Sequence, residues 1–301
     1  MFTRVLFPTD LSAYADAVLA CLPDLKAIGL CEVVLLSVIR PSDVPLPETF
    51  NRESMEYWKW SLLERLNVAK MALEGKGLRV FTRVEYGNPV AQILQVAEDE
   101  RIDMIVMGAQ GATAAQELLI GSTAYEVVRR ASVPVLLQKF EVVRELGHVK
   151  CHQVCESLFH RVLHPTDFSD YADAAFQMVK RLKSAGAQEV IVLHVQDERL
   201  MKHRPAEQLA EFDRLDAERL EKLCNMLSLF GLGARPLLRH GIPFKVALEV
   251  ADEFDASLIV LGSQGRSAIR EIMTGSTLES IIRLAKQPTL VVRGITNTGN
   301  I

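Results

Sequence analysis

Short apolar runs alternate with amphipathic stretches along this chain, and the alternation occurs twice. In the first half the apolar runs fall near residues 3–8, 32–39, 78–84, 103–107 and 133–137. They are apolar at consecutive positions and rich in β-branched residues, which predicts strands buried on both faces. Ser12 is placed to cap a helix running to about Ile28, with Gly29 as its stop. A long amphipathic helix is expected from about Glu48 to Leu73, closed by Gly75 and Gly77. Shorter helices are expected over Val90–Glu100 and Ser122–Ala131, with Pro134 beyond the last. Alternating strand and helix predicts an α/β fold: a doubly wound parallel sheet with right-handed crossovers and helices on both faces.

The second half repeats the first in residues as well as in pattern. Val5-Leu6-Phe7-Pro8-Thr9-Asp10-Leu11-Ser12 matches Val162-Leu163-His164-Pro165-Thr166-Asp167-Phe168-Ser169, and Glu32–Val38 matches Glu189–Val195. Gly87-Asn88-Pro89 matches Gly241-Ile242-Pro243. The early matches are offset by 157 residues and the later ones by 154, so a three-residue deletion falls between Val195 and Gly241. A tandem duplication follows, with domains at 1–140 and 159–294, a polar linker at 141–158 and a disordered tail at 295–301.

Composition narrows the partners. The 301 residues carry a formal net charge of −4 with no basic stripe, which disfavours nucleic acid. No run of eighteen apolar residues appears, and Met1-Phe2-Thr3-Arg4 leads straight into a strand, so neither a membrane span nor a signal peptide is expected. The five cysteines are odd in number and scattered, which fits a reducing, cytoplasmic setting.

The chemistry concentrates in one repeated motif. Gly108-Ala109-Gln110-Gly111 is followed nine residues later by Gly121-Ser122-Thr123, directly after the apolar run Met104–Met107. Gly262-Ser263-Gln264-Gly265 and Gly275-Ser276-Thr277 repeat it after Leu258–Leu261. In an open α/β sheet, ligands sit beyond the carboxyl ends of the strands, where the strand order reverses. The Pro8-Thr9-Asp10 turn and Gly108 would then line one crevice. Gly121-Ser122-Thr123 would open a helix whose free N–H groups and dipole attract an anion. Together these features describe a phosphate cradle. The plainer alternative is that the glycines are turn residues, Ser122 an N-cap and Asp10 a turn-forming aspartate.

With both halves in view, the chain resembles the universal stress protein family in its tandem-domain form. The resemblance rests on Pro-Thr-Asp-x-Ser, on Gly-x2-Gly-x9-Gly-Ser, and on the endings Pro134-Val135-Leu136-Leu137 and Pro288-Thr289-Leu290-Val291-Val292. It implies two Rossmann-like domains of the adenine nucleotide alpha hydrolase kind, each a five-stranded parallel sheet of order 3-2-1-4-5. The fifth strands would pair with each other within the chain, with a further homodimer in view. It implies ATP, or AMP or ADP, as ligand, with Mg accompanying a triphosphate, and a role as a nucleotide-dependent stress-response sensor or regulator.

Carried over by residue, Asp10 and Asp167 would meet the adenosine end, beside Pro8, Thr9, Pro165 and Thr166. Val38 and Val195 would offer backbone hydrogen bonds to adenine. Met107, Gly108, Gly111, Gly121, Ser122 and Thr123 would surround ribose and phosphates, as would Leu261, Gly262, Gly265, Gly275, Ser276 and Thr277. The family's arginine after the second glycine is kept as Arg266 and replaced by Ala112. Between the outer glycines the second loop carries Arg266, Arg270 and Glu271 against Glu117 alone in the first, formally +1 against −1. Tighter triphosphate binding is therefore expected in the second half.

Enzyme motifs are missing. There is no Gly-x4-Gly-Lys-Ser/Thr, no His-Glu-x2-His and no Gly-x-Ser-x-Gly. No repeated base accompanies Asp10, so ATP hydrolysis, if present, is expected to be slow. A slow ATPase and a purely structural or partner-binding module remain the competing readings. His148, Cys151, His152 and Cys155 share helical spacing but match no standard zinc module, and no metal site is assigned. Trp58 and Trp60 lie two apart in the long helix, so one is expected in the core and the other over an interface.

Overall fold

The computed structural model describes residues 2–43, 52–109, 120–145, 148–153, 158–202, 204–263 and 276–294, with backbone only at 52–54, 140–145, 148–153 and 276. The chain forms two compact units, Met1–Cys155 and Glu156–Ile301.

In the first unit, β1 (Arg4–Pro8) leads to α1 (Ala13–Cys21), β2 (Glu32–Ile39), α2 (Arg52–Glu74), β3 (Arg79–Tyr86) and α3 (Pro89–Asp99). Then come β4 (Met104–Gly108), α4 (Ser122–Arg130) and β5 (Val135–Gln138), followed by a hairpin of β6 (Phe140–Glu145) and β7 (His148–Gln153). The second unit runs β8 (Arg161–Pro165), α5 (Asp170–Arg181), β9 (Glu189–Asp197), the short α6 (Glu198–Met201), α7 (Ala206–Leu229) and β10 (Gly233–Gly241). It ends with α8 (Pro243–Glu253), β11 (Leu258–Gly262), α9 (Ser276–Leu284) and β12 (Thr289–Val292).

Each unit holds a parallel five-stranded sheet, ordered β3-β2-β1-β4-β5 in the first and β10-β9-β8-β11-β12 in the second. This is the 3-2-1-4-5 order expected from the resemblance. Consecutive apolar residues make the inner strands buried on both sides: Val5, Leu6, Phe7, Val33, Leu35, Leu36 and Ile105 are wholly inaccessible. The register is duplicated, with Phe7 opposite Leu35 and His164 opposite Val192. At the amino ends of the strands, ion pairs repeat as well. Arg4 bridges Glu32 at 2.5 Å and also Glu100, while Arg161 meets Glu189 at 2.9 Å. Charges thus pin one edge of each sheet, and the carboxyl edge carries the loops of interest.

Two expectations about secondary structure need correction. The helix expected over 12–28 is α-helical only to Cys21 and continues as a 3-10 helix over Leu22–Ile28. Pro23 lacks the N–H that an α-helix would need there. In the second unit Lys180 takes that place, α5 runs on to Arg181 and the 3-10 segment shortens to Leu182–Ala185. The linker, read at helical spacing, is an antiparallel hairpin with Val142 opposite Cys151, so that spacing does not apply; Cys155 lies outside the described residues. Cys21 is disulfide-bonded, while Cys31 and Cys224 are free thiols. Among the described residues, no group of His, Cys, Asp or Glu could hold a metal ion, and no helix is long and apolar enough to cross a membrane.

Candidate functional site

The turn after β1 is built by its own side chains. Thr9 N–H donates to Leu36 O at 2.8 Å, seating the turn on β2. Leu11 N–H donates to Thr9 Oγ1 at 2.9 Å, and Ser12 N–H donates to Asp10 Oδ1 at 3.1 Å. These bonds hold Leu11 at φ 57, a left-handed conformation costly for a side chain with a Cβ. Ser12 then caps α1 by accepting from Ala15 N–H at 3.3 Å. The second unit repeats every step: Thr166 N–H to Leu193 O at 2.8 Å, Phe168 N–H to Thr166 Oγ1 at 3.1 Å, Ser169 N–H to Asp167 Oδ1 at 3.1 Å, and Phe168 at φ 59. Asp10 is therefore a turn former, and its side chain also lines the neighbouring cleft.

The opposite wall comes from β4 and α4. Ala109 N–H donates to Gln138 O at 2.9 Å, and Gly121 N–H donates to Ala109 O at 2.7 Å, so Ala109 ties the start of α4 to the end of β5. Gly121 is the N-cap of α4 and supplies no side-chain cap, in contrast to Ser12 on α1 and Asn88 on α3. The first N–H groups of α4 therefore keep their hydrogen-bonding capacity and their positive dipole end. Arg129 and Arg130 sit in its last turn, as the dipole favours.

Between these walls lies a cleft of about 340 Å³. Pro8, Thr9, Asp10 and Val38 line it from β1 and β2, and Met107, Gly108, Gly121, Ser122 and Thr123 line it from β4 and α4. The structure thus gathers nine first-half residues singled out from sequence into one cleft; Gly111 lies outside the described residues. Other lining residues were not singled out from sequence as ligand-facing. Phe7, Ile39 and Ala109 form part of the wall on the sheet side, Trp58 and Leu62 enter from α2, and Pro89 and Ile93 enter from α3. Neither tryptophan is in the core: Trp58 is 37% exposed at the cleft and Trp60 is 60% exposed.

Charge at the mouth is organised around Arg40, which lines the cleft with Asp43. Arg40 Nε donates to Asp43 Oδ2 at 2.9 Å. That hydrogen bond holds the Asp43 carboxyl below the usual carboxylate range and raises the guanidinium, which also feels Asp10. Away from the residues that line the cleft, burial lowers Lys139, the residue after β5, to about 8.

In the second unit, Pro165, Thr166, Asp167, Val195, Leu261 and Gly262 hold the places of their first-half counterparts at strand ends and turn. Thr277 lies in the first turn of α9, and Ser276 opens that helix. Gly265, Arg266 and Gly275 lie outside the described residues. Gly262 has a packing role as well: a Cβ there would meet Tyr171 O at 2.5 Å.

Comparison with known proteins places the chain among relatives of the same plan. The model of the Universal stress protein family matches residues 1–139 and 158–293. A universal stress protein of Methanocaldococcus jannaschii is 32% identical over 155 residues, covering 45% of this chain and 96% of that protein. One from Mycobacterium bovis is 23% identical over 274 residues, 88% of this chain and 87% of that one. The crystal structure of a universal stress protein from Archaeoglobus fulgidus superposes with a TM-score of 0.73 at 26% identity, covering 96% of this chain and 98% of that one.

Proposed function

The chain belongs to the universal stress protein family, and on that footing we propose that each half binds ATP or another adenine nucleotide, as a nucleotide-dependent stress-response sensor or regulator. The observation that carries this reading is the pairing of Asp10 with the uncapped N-terminus of α4 across one 340 Å³ cleft. That volume lies within the range of small-ligand sites. The α4 N–H groups, with the Ser122 and Thr123 hydroxyls, suit phosphate oxygens. Asp10 at the other wall suits ribose hydroxyls, and Val38, where β2 ends, offers its backbone to the base. Among the described residues no base-and-nucleophile pair lines the cleft, and we read the site as a receptor first, with any turnover slow.

Asp10→Asn tests the adenosine end, because asparagine keeps the acceptor that holds the turn and removes the charge. The expected result is nucleotide binding in the first half about tenfold weaker, the worth of one charge-assisted hydrogen bond. Quenching of Trp58 fluorescence during an ATP titration reads it. Unchanged affinity would leave Asp10 with the turn alone. The charge difference between the two glycine loops further leads us to expect tighter triphosphate binding in the second half, and equal affinities by calorimetry would remove that expectation.

A further inference from the structure

Three side-chain atoms among the described residues of the second unit are buried without a hydrogen-bond partner: His164 Nε2, Gln196 Oε1 and Ser263 Oγ. Their residues are 0%, 2% and 7% exposed. By the duplicated register they stand where the first unit has Phe7, Ile39 and Ala109. All three of those residues are apolar, and all three line the first cleft. Buried polar groups are almost always partnered, so exceptions at the equivalents of lining positions ask for a cause. His164 lies opposite Val192, four residues before Gln196 on β9, so the two stand ~13 Å apart along the sheet and Gln196 is the one at the base end.

We propose that the second half reads its ligand differently from the first, and that Gln196 sets a polar acceptor at the base end that selects a nucleotide presenting an amino-group donor. This rests on the nucleotide-binding reading above and adds the selectivity of one half.

The roles of the atoms follow from their neighbours. His164 Nδ1 lies 2.9 Å from Val260 O, which can only accept, so Nδ1 carries the proton and Nε2 offers a lone pair. Burial lowers this imidazole to about 4, so it stays neutral at pH 7. Gln196 Nε2 donates to Asp216 Oδ2 at 3.1 Å, which fixes the amide orientation and leaves Oε1 as the acceptor. Asp216 is held in turn by Arg219 at 3.2 Å and faces His194 Nε2 at 3.4 Å, whose other ring nitrogen meets Thr166 O at 2.7 Å. In the first half Leu62 takes the place of Asp216 and Ser37 that of His194. At the base end the second half thus has an amide acceptor in Gln196 where the first has the hydrocarbon of Ile39. Gln196 immediately follows Val195, the counterpart of Val38, which puts its acceptor at the base end.

The test compares ATP with purine riboside triphosphate, which lacks the exocyclic amino group, on the full chain. Both tryptophans lie in the first half, so their fluorescence reports that site and calorimetry reports both. Removing the amino group is expected to weaken the second site about tenfold more than the first. Gln196→Ile, which installs the first-half residue, is expected to abolish the extra loss, whereas His164→Phe is expected to leave it in place. Equal losses at the two wild-type sites overturn the proposal without any variant, as does a correctly folded Gln196→Ile variant that keeps the difference. Binding of both nucleotides without discrimination refutes this proposal alone, whereas no nucleotide binding at all refutes the functional reading and this proposal with it.

Discussion

Gly262→Ala is expected to destabilise the second half by about 3 kcal/mol, the upper part of the range for overpacking a close contact. The added Cβ would lie 2.5 Å from Tyr171 O, 2.6 Å from Tyr171 C and 3.0 Å from its Cβ. The first two are backbone atoms at the start of α5, so no rotamer change relieves the overlap. Either β11 or the first turn of α5 must move, and α5 follows directly from the Thr166-Asp167 turn. Loss of stability and loss of nucleotide binding in the second half should therefore appear together. Urea denaturation compares the variant with the wild type, and a change below about 0.5 kcal/mol, the scatter of neutral surface substitutions, would show that the contact relaxes easily. The glycine that opens the second motif is required by packing, whatever else it does.

Acid should destabilise the second half through His164. Its imidazole titrates near 6.5 when unfolded and at about 4 in the fold, because burial disfavours the charged form. The folded state then binds fewer protons than the unfolded one between those values, so the contribution is full above pH 6.5. It is lost as pH falls towards 4 and amounts to about 3 kcal/mol over that window. The carboxylates titrate in the same range, so the informative quantity is the difference from His164→Phe, which carries the first-half residue. The stabilities of wild type and variant are expected to converge or cross as pH drops from 7 to 4.5. Parallel profiles would mean that His164 gains a partner or water that the fold does not show.

Both results depend on features that are unequally visible in sequence. The sheet was legible because its strands are buried on both faces and carry apolar residues without interruption, as in Val33–Leu36 and Met104–Met107. The Thr9-Asp10-Leu11-Ser12 turn was legible because its hydrogen bonds are local, running two or three residues along the chain. The 140–153 hairpin was not, since its spacing of Cys and His fits a helical stripe as well as a strand. The wall of the cleft was only half legible. Arg40, Trp58 and Ile93 reach it from three elements whose convergence depends on packing, and helical spacing alone could not tell Trp58 from Trp60. The contact between Gly262 and Tyr171 joins residues far apart in sequence, and a glycine in a string carries no trace of what stands opposite it. The polar substitution in the second half was present in the repeat alignment as Ile39 against Gln196, but its meaning appears only once Ile39 is seen lining a cleft.

Adenine nucleotide binding is tested most directly by mass spectrometry of small molecules released when gently purified protein is denatured. The expected result is adenine nucleotide, approaching two molecules per chain, with a phosphate count that reports which species each loop prefers. No released nucleotide, together with no heat of ATP binding by calorimetry, would contradict the proposed function and leave a duplicated universal stress protein fold whose glycine loops serve only its packing.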